Sequence, residues 1–187
     1  MSDKRYYMAC LDLEGRSALV VGGGAVGLEK SQGLLDCGAT VTVVAPQIEP
    51  RLQQLPIRWR RRRYQASDLD GQFLVVAATP VGSVNRQIYR DAEERSLLCN
   101  VADAPDLCNF ILPAVHREDP IVLAVSTGGA SPALAKRLRD QFGAQIDDQH
   151  VALAHRLREL RPWVKAHYPS YRERRDFFEA LVEESLR

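Results

Sequence analysis

The stretch RSALVVGGGAVGLEK, residues 16–30, restricts the fold of this chain more than any other part of its sequence. Its apolar run closed by glycines reads as a buried strand over 16–21. Gly22, Gly24 and Gly27 then fit G-x-G-x-x-G, after a strand and before a helix. In that setting Gly22 permits the tight turn, Gly24 lets backbone approach a pyrophosphate, and Gly27 lets helix and strand pack closely. The helix N-terminus adds N–H donors and a favourable dipole for an anion. The pattern points to a dinucleotide site; a purely structural tight turn is the alternative.

The segments that follow keep alternating strand and helix. Leu28 and Leu35 share a face of a helix over 25–37 that stops at Gly38, and ATVTVVAP is a β-branched strand ended by proline. Residues 57–64 are a third strand candidate. FLVVAAT (73–79) is a fourth, apolar throughout, as a parallel strand buried on both sides should be. Ser83 is placed to cap a helix carrying Val84, Ile88 and Ala92, and LLCNVA (97–102) is a fifth strand. This alternation predicts an α/β fold, a Rossmann-like, doubly wound parallel sheet with right-handed crossovers. From residue 110 the pattern changes to two extended runs split by a polar turn at Glu118 and Asp119. Ser131-Pro132 then opens a helix, Val151, Ala154, Leu157 and Leu160 mark a second that bends or ends near Pro162, and SYRE (170–173) is a capping box for a third.

One element of the dinucleotide pattern is missing. About 20 residues after the glycines an acid normally binds the ribose hydroxyls; here Ala45, Pro46 and Gln47 stand in its place. A peptide carbonyl or the Gln47 amide is left to contact the ribose. No arginine occupies the position itself, although Arg51 is near, so NAD is favoured over NADP.

Composition bounds the partners. The chain has 187 residues, 45% hydrophobic and 26% charged, enough for one domain with a smaller appendage. A net charge of +1 gives no reason to expect a nucleic-acid or membrane partner. No apolar run approaches the roughly 20 residues that cross a bilayer, and MSDKRYYMACLDLEG has no long apolar core, so no signal peptide is expected. Cys10, Cys37, Cys99 and Cys108 form no C-x-x-C pair, which argues for reduced thiols in a cytoplasmic protein and against a zinc site. The scattered histidines, His116 among them, predict no resident metal. RWRRRRY (58–64) invites a nucleic-acid reading. Side chains alternate on a strand, however, and no second basic stretch accompanies it, so the reading preferred is an outer strand whose charges discourage edge pairing.

The motifs together resemble a known family. VVGGGAVGLEK, VTVVAP, SDLDGQFLVVAAT with VNRQI after it, CNVADAP, FILPA and AVSTGGASPALAKRLR run in order to about residue 140. In this they resemble the precorrin-2 dehydrogenases of sirohaem synthesis, including the N-terminal part of multifunctional sirohaem synthases. The Ala-Pro end of the second strand is itself a family trait. The resemblance implies NAD-dependent oxidation of precorrin-2 to sirohydrochlorin, in some members followed by insertion of Fe²⁺ as a second substrate. It also implies a homodimer and a layout of nucleotide-binding domain (1–112), dimerisation segment (113–147) and helical C-terminal region (148–187). Two features depart from the family: Asp106, Leu107, Cys108 and Asn109 replace the usual small or polar residues, and TPVGSVN lacks acids common after the fourth strand. With the chain ending at 187, the methyltransferase module of the multifunctional synthases is expected to be absent.

Asp103, just past the fifth strand, stands at the carboxyl edge of the sheet, where open α/β folds bind ligands. It either starts the turn in DAP or takes a proton; the resemblance implies the catalytic role. A substrate bearing many carboxylates needs cations and backbone donors, and STGGASP (126–132), with hydroxyls, two glycines and a helix N-terminus, has that character. The expected site therefore comprises Asp103 as catalytic residue and Gly22, Gly23, Gly24, Ala25, Val26, Gly27, Ala45, Pro46, Gln47 and Thr79 for the cofactor. Asn100, Ser126, Thr127, Gly128, Gly129 and Ser131 are expected to bind the tetrapyrrole. A competing reading is a regulatory module that binds NAD(H) without turnover; such a module needs neither CNVADAP nor AVSTGGASP.

Overall fold

The computed structural model describes residues 4–186, so the sequence-derived domain limits at 1 and 187 lie outside the described residues. The chain divides into two compact units, with the division between Leu112 and Pro113.

The first unit is the expected parallel sheet. Its elements are β1 (Ser17–Val21), α1 (Ala25–Leu35), β2 (Thr40–Val44), a short α2 (Pro50–Gln53), β3 (Arg58–Arg60), β4 (Leu74–Ala77), α3 (Gly82–Glu93) and β5 (Leu98–Val101). The strands lie in the order β3-β2-β1-β4-β5, all parallel. The order reverses between β1 and β4, the switch point where such sheets open a crevice at their carboxyl ends. Each face has its own core. Val20, Val41, Val43, Val76 and Leu34 pack on the α1 side, and Leu19, Val44, Val75, Ile88, Ala92 and Cys99 on the α3 side. Alternate residues of one strand thus serve opposite cores, which is why these strands read as unbroken apolar runs.

Two expectations for this unit are corrected. The third strand is only three residues long, because Asp68 draws the chain away from β2. Asp68 lies in a 3₁₀ turn, Ala66–Leu69, with its side chain fully buried, and accepts hydrogen bonds from Arg60, from both Nη atoms of Arg62 and from the Gln65 N–H at 2.6–3.0 Å. β3 is the outer strand foreseen, yet Arg60 and, two residues past the strand's end, Arg62 close a local clamp. Ser83 does not cap α3. The N-cap is Val81, and Ser83 lies inside the first turn; Thr79 fills the polar role there.

In the second unit β6 (Ala114–Glu118) and β7 (Ile121–Val125) form an antiparallel hairpin, and α4 (Pro132–Gly143), α5 (Asp148–His167) and α6 (Tyr171–Ser185) follow. The hairpin is joined through Asp119-Pro120, whose peptide bond is cis. Ser131 Oγ caps α4 by accepting the Leu134 N–H, and Ser170 and Glu173 make the capping box of α6. The helix does not end at Pro162; α5 runs through it. A proline inside a helix forfeits one hydrogen bond and costs about 3 kcal/mol. Just beyond it Val164 is completely buried, and Trp163 and Tyr168 pack against Phe177 of α6, which holds the second half in line.

Candidate active site

The switch point is built from three backbone segments pressed together. Gly22 has φ +128°, and a Cβ there would collide with the Ala78 carbonyl just past β4. Gly27 meets the Gly22 carbonyl in the same way, so both glycines are required by the fold itself. Gly23 is closed off by the Gln47 carbonyl and accepts the Glu49 N–H at 2.8 Å, which folds the loop after β2 back onto the turn. Gly24 differs from all three. It is exposed, lies in extended conformation (φ −86°, ψ −169°), and a Cβ would meet nothing within 4 Å. It is the N-cap of α1, where no side chain caps the helix and no acid stands in the first turn. Exposed Ala25 and Val26 continue that turn, with Gly27 buried beneath. The open space at Gly24 and the uncapped N–H groups fit a pyrophosphate: the fold does not need glycine at this position, whereas a ligand lying on the backbone does.

Where the acid is missing, the Ala45 carbonyl accepts the Trp59 indole N–H at 2.9 Å. That carbonyl, one of the atoms left for a ribose, is already engaged. Pro46 and Gln47 are exposed, which leaves the Gln47 amide and the loop backbone facing solvent. On the other side of the crevice Thr79 is not a free hydroxyl. Its Oγ1 lies 2.8 Å from Asn85 Oδ1 and accepts the Val81 N–H at 3.2 Å, while Asn85 Nδ2 donates to the Thr79 carbonyl at 3.0 Å. Asn85 is buried, with 8% exposure. The pair staples the loop after β4, so Thr79 presents backbone to the crevice. Sequence reading missed Asn85; VNRQI marks the position without revealing its partner.

Asp103 follows β5 in a left-handed conformation (φ +58°) with its side chain exposed. Because every strand is parallel, it shares the carboxyl edge with the glycine turn, two strand spacings or about 10 Å across the sheet. Asn100, expected to face the substrate, is instead buried; its Nδ2 donates to the Phe110 carbonyl at 3.1 Å and lies 3.6 Å from Cys108 Sγ. The segment flagged as divergent runs along the open edge of β5. Asn109 donates its N–H to the Cys99 carbonyl (3.1 Å) and its Oδ1 accepts the Cys99 N–H (2.7 Å), while Cys108 Sγ accepts the Val101 N–H (3.2 Å). Burial pushes the Cys99 thiol up to about 12 and raises that of Cys108, so both stay protonated.

The remaining candidates lie in the second unit. Ser126 Oγ accepts the Gly128 N–H, Thr127 Oγ1 accepts the Ser131 N–H, and Ser131 caps α4. All three hydroxyls serve the turn. Gly128 and Gly129, at φ +63° and +88°, have open space around them, and the donors left to a ligand are the backbone of that loop and the first turn of α4. His116 packs its ring on Gly143 and lies 3.7 Å from Glu118. Among the described residues no group of three His, Cys, Asp or Glu is arranged to hold a metal ion, and no helix is long and apolar enough to cross a membrane.

Comparison with known proteins places this geometry. Residues 9–114 match the family model for putative NAD(P)-binding, 119–145 that for the central part of sirohaem biosynthesis proteins, and 152–187 that for the sirohaem synthase dimerisation region. The solved structure of SirC, a precorrin-2 dehydrogenase, superposes with a TM-score of 0.78 at 30% identity, covering 95% of this chain and 89% of that one. The chain belongs to the SirC and sirohaem synthase family. Siroheme synthases of Pseudomonas fluorescens (strain SBW25) and Pseudomonas entomophila (strain L48) are 42% and 44% identical over 92% and 91% of the chain. The chain spans only 38% of the length of each. Within the family frame, the dimerisation-region match falls on α5 and α6, and the central-part match covers β7 and α4.

Proposed function

We propose that this chain is a cytoplasmic, homodimeric enzyme that oxidises precorrin-2 to sirohydrochlorin with NAD⁺. The observation that carries the reading is the conjunction of an open Gly24 at the switch point with a carboxylate on the same sheet edge. The backbone of residues 22–27 would hold the pyrophosphate, the loop 45–47 the adenosine ribose, and the stapled backbone at Thr79 the far wall of the crevice. NAD⁺ supplies the hydride acceptor. Asp103 takes the proton that leaves with the hydride, so two electrons and one proton pass to the cofactor and one proton to the carboxylate. The turn 126–131 would offer backbone donors to the substrate's carboxylates, whereas Asn100, buried and bonded to the Phe110 carbonyl, serves the fold. Ferrous iron would be the substrate of a following chelation, in which macrocycle nitrogens lose protons that the same carboxylate can accept.

The support from relatives is direct for the fold and the first step: SirC is a precorrin-2 dehydrogenase and is matched nearly end to end. Anaerobic precorrin-2 with NAD⁺ tests the proposal, with sirohydrochlorin and NADH appearing together; addition of Fe²⁺ afterwards tests chelation. Cofactor binding without turnover would favour the sensing module.

A further inference from the structure

We propose that Cys108 is a positioning residue for catalysis, its buried thiol fixing the loop that presents Asp103. The inference rests on reading Asp103 as the proton acceptor.

β5 is the outer strand of the sheet on its side, paired only with β4. Its Ala102 N–H donates inward to the Ala77 carbonyl, so by strand alternation the N–H groups of Val101 and Cys99 point outward. Residues 108 and 109 answer them. Asn109 pairs with Cys99 as another strand would, and one step further on the partner is a thiol in place of a carbonyl. Cys108 Sγ lies 3.2 Å from the Val101 N–H nitrogen and 3.3 Å from both the Val101 and the Ala104 carbonyl oxygens. The sulfur therefore sits inside the turn 101–104, touching backbone on either side of Asp103. It is buried, with 2% exposure, its one side-chain hydrogen-bond neighbour is Asn100 Nδ2 at 3.6 Å, and as a protonated thiol it can both accept and donate.

Asp103 needs such support. Asp tolerates φ +58° better than most L-residues, yet the conformation still depends on its surroundings to hold it. The Ala104 N–H reaches the Val101 carbonyl at only 3.3 Å, so the backbone alone closes this turn weakly. Lys4 secures the far end by donating to the Cys108 carbonyl at 3.1 Å. Sulfur is long enough to reach three backbone atoms at once. The residues that looked like a disturbance of the substrate pocket thus act on the carboxylate from behind.

The test is a double-mutant cycle with four proteins of the whole 187-residue chain: the parent, Cys108→Ala, Asp103→Asn and the double variant. Each is assayed anaerobically for kcat on precorrin-2 at saturating NAD⁺, with NAD⁺ affinity measured by calorimetry. A displaced base costs of the order of 10- to 100-fold, so Cys108→Ala should lower kcat by that factor while NAD⁺ affinity changes less than about twofold. Because the thiol acts through Asp103, the double variant should be no slower than Asp103→Asn alone. Cys108→Ser, which keeps a donor and an acceptor on a shorter bond, should recover part of the rate; it carries the same test if the alanine variant does not fold. Parent-like kcat in Cys108→Ala overturns the inference. So does a double variant slowed by the full product of the two single effects. A fully active Asp103→Asn is a different failure, since it removes the base assignment on which the inference stands.

Discussion

The four glycines of the turn make a prediction that separates folding from binding. Gly24→Val places its side chain where nothing lies within 4 Å, on a backbone (φ −86°, ψ −169°) that β-branched residues adopt freely. Its only structural penalty is a poor N-cap for α1, about 1 kcal/mol, or roughly 2–4 °C in Tm for a chain of this size. The isopropyl group, however, fills the space through which a pyrophosphate must reach the N–H groups of the first turn. NAD⁺ affinity should fall by at least about 100-fold, which is about 2.7 kcal/mol. Gly22→Val is the control. It combines a positive φ of +128° with a collision against the Ala78 carbonyl, and should destabilise by several kcal/mol whether or not cofactor is present. Calorimetry with NAD⁺ on the folded Gly24→Val protein decides the matter. Parent-like affinity there would refute the placement of the cofactor, and collapse of the fold would refute the claim that glycine is free of structural duty at 24.

Other perturbations reach different parts of the account. Asp103→Asn, with Asn well suited to the left-handed turn, should keep stability and NAD⁺ binding while slowing dehydrogenation about 10²- to 10⁴-fold. Asn85→Ala should release the staple on Thr79, costing about 1–3 kcal/mol in denaturant melts and weakening NAD⁺ binding without changing the pH profile of kcat. Burial works to raise the pKa of Asp68, but Arg62, the Gln65 N–H and Arg60 outweigh it and hold the carboxyl at about 2, below its ordinary 3.8. A lowered carboxylate stabilises above its unfolded value and loses that contribution as pH falls. Some 2 kcal/mol should therefore vanish between about pH 4 and pH 2, and Asp68→Asn should flatten that segment of the stability curve. The outer face of the hairpin carries Val115, Val122 and Ala124, with Val122 half exposed, and the described chain should form an isologous dimer by light scattering at micromolar concentration.

How much of this was legible in the sequence depends on how local the determinant is. The strand over 17–21, the caps at Ser131 and Ser170 and the glycine turn are written in neighbouring residues, and each stands where it was expected. The parallel order followed from alternation and crossover handedness, which are properties of the whole chain. The length of β3 was not legible, because the buried Asp68 that ends it sits eight residues past Arg60 in a turn with no periodic signal. The engagement of the Thr79 hydroxyl was not legible, because its partner Asn85 lies six residues further on, within a motif that reads only as a helix start. The continuity of α5 past Pro162 was hidden for a similar reason, since it depends on Phe177 of the next helix. The role of residues 108 and 109 was the least visible, for no pattern marks a thiol that stands in for a strand's carbonyl.

The central claim is that the crevice at the switch point couples cofactor reduction to precorrin-2 oxidation. It is tested most directly by mixing the purified protein anaerobically with precorrin-2 and NAD⁺ and following both products by absorbance. The account predicts sirohydrochlorin and NADH in equal amounts, with turnover abolished in Gly24→Val and slowed in Asp103→Asn. Cofactor that binds at the glycine turn while no NADH forms over many hours with fresh precorrin-2 would contradict it.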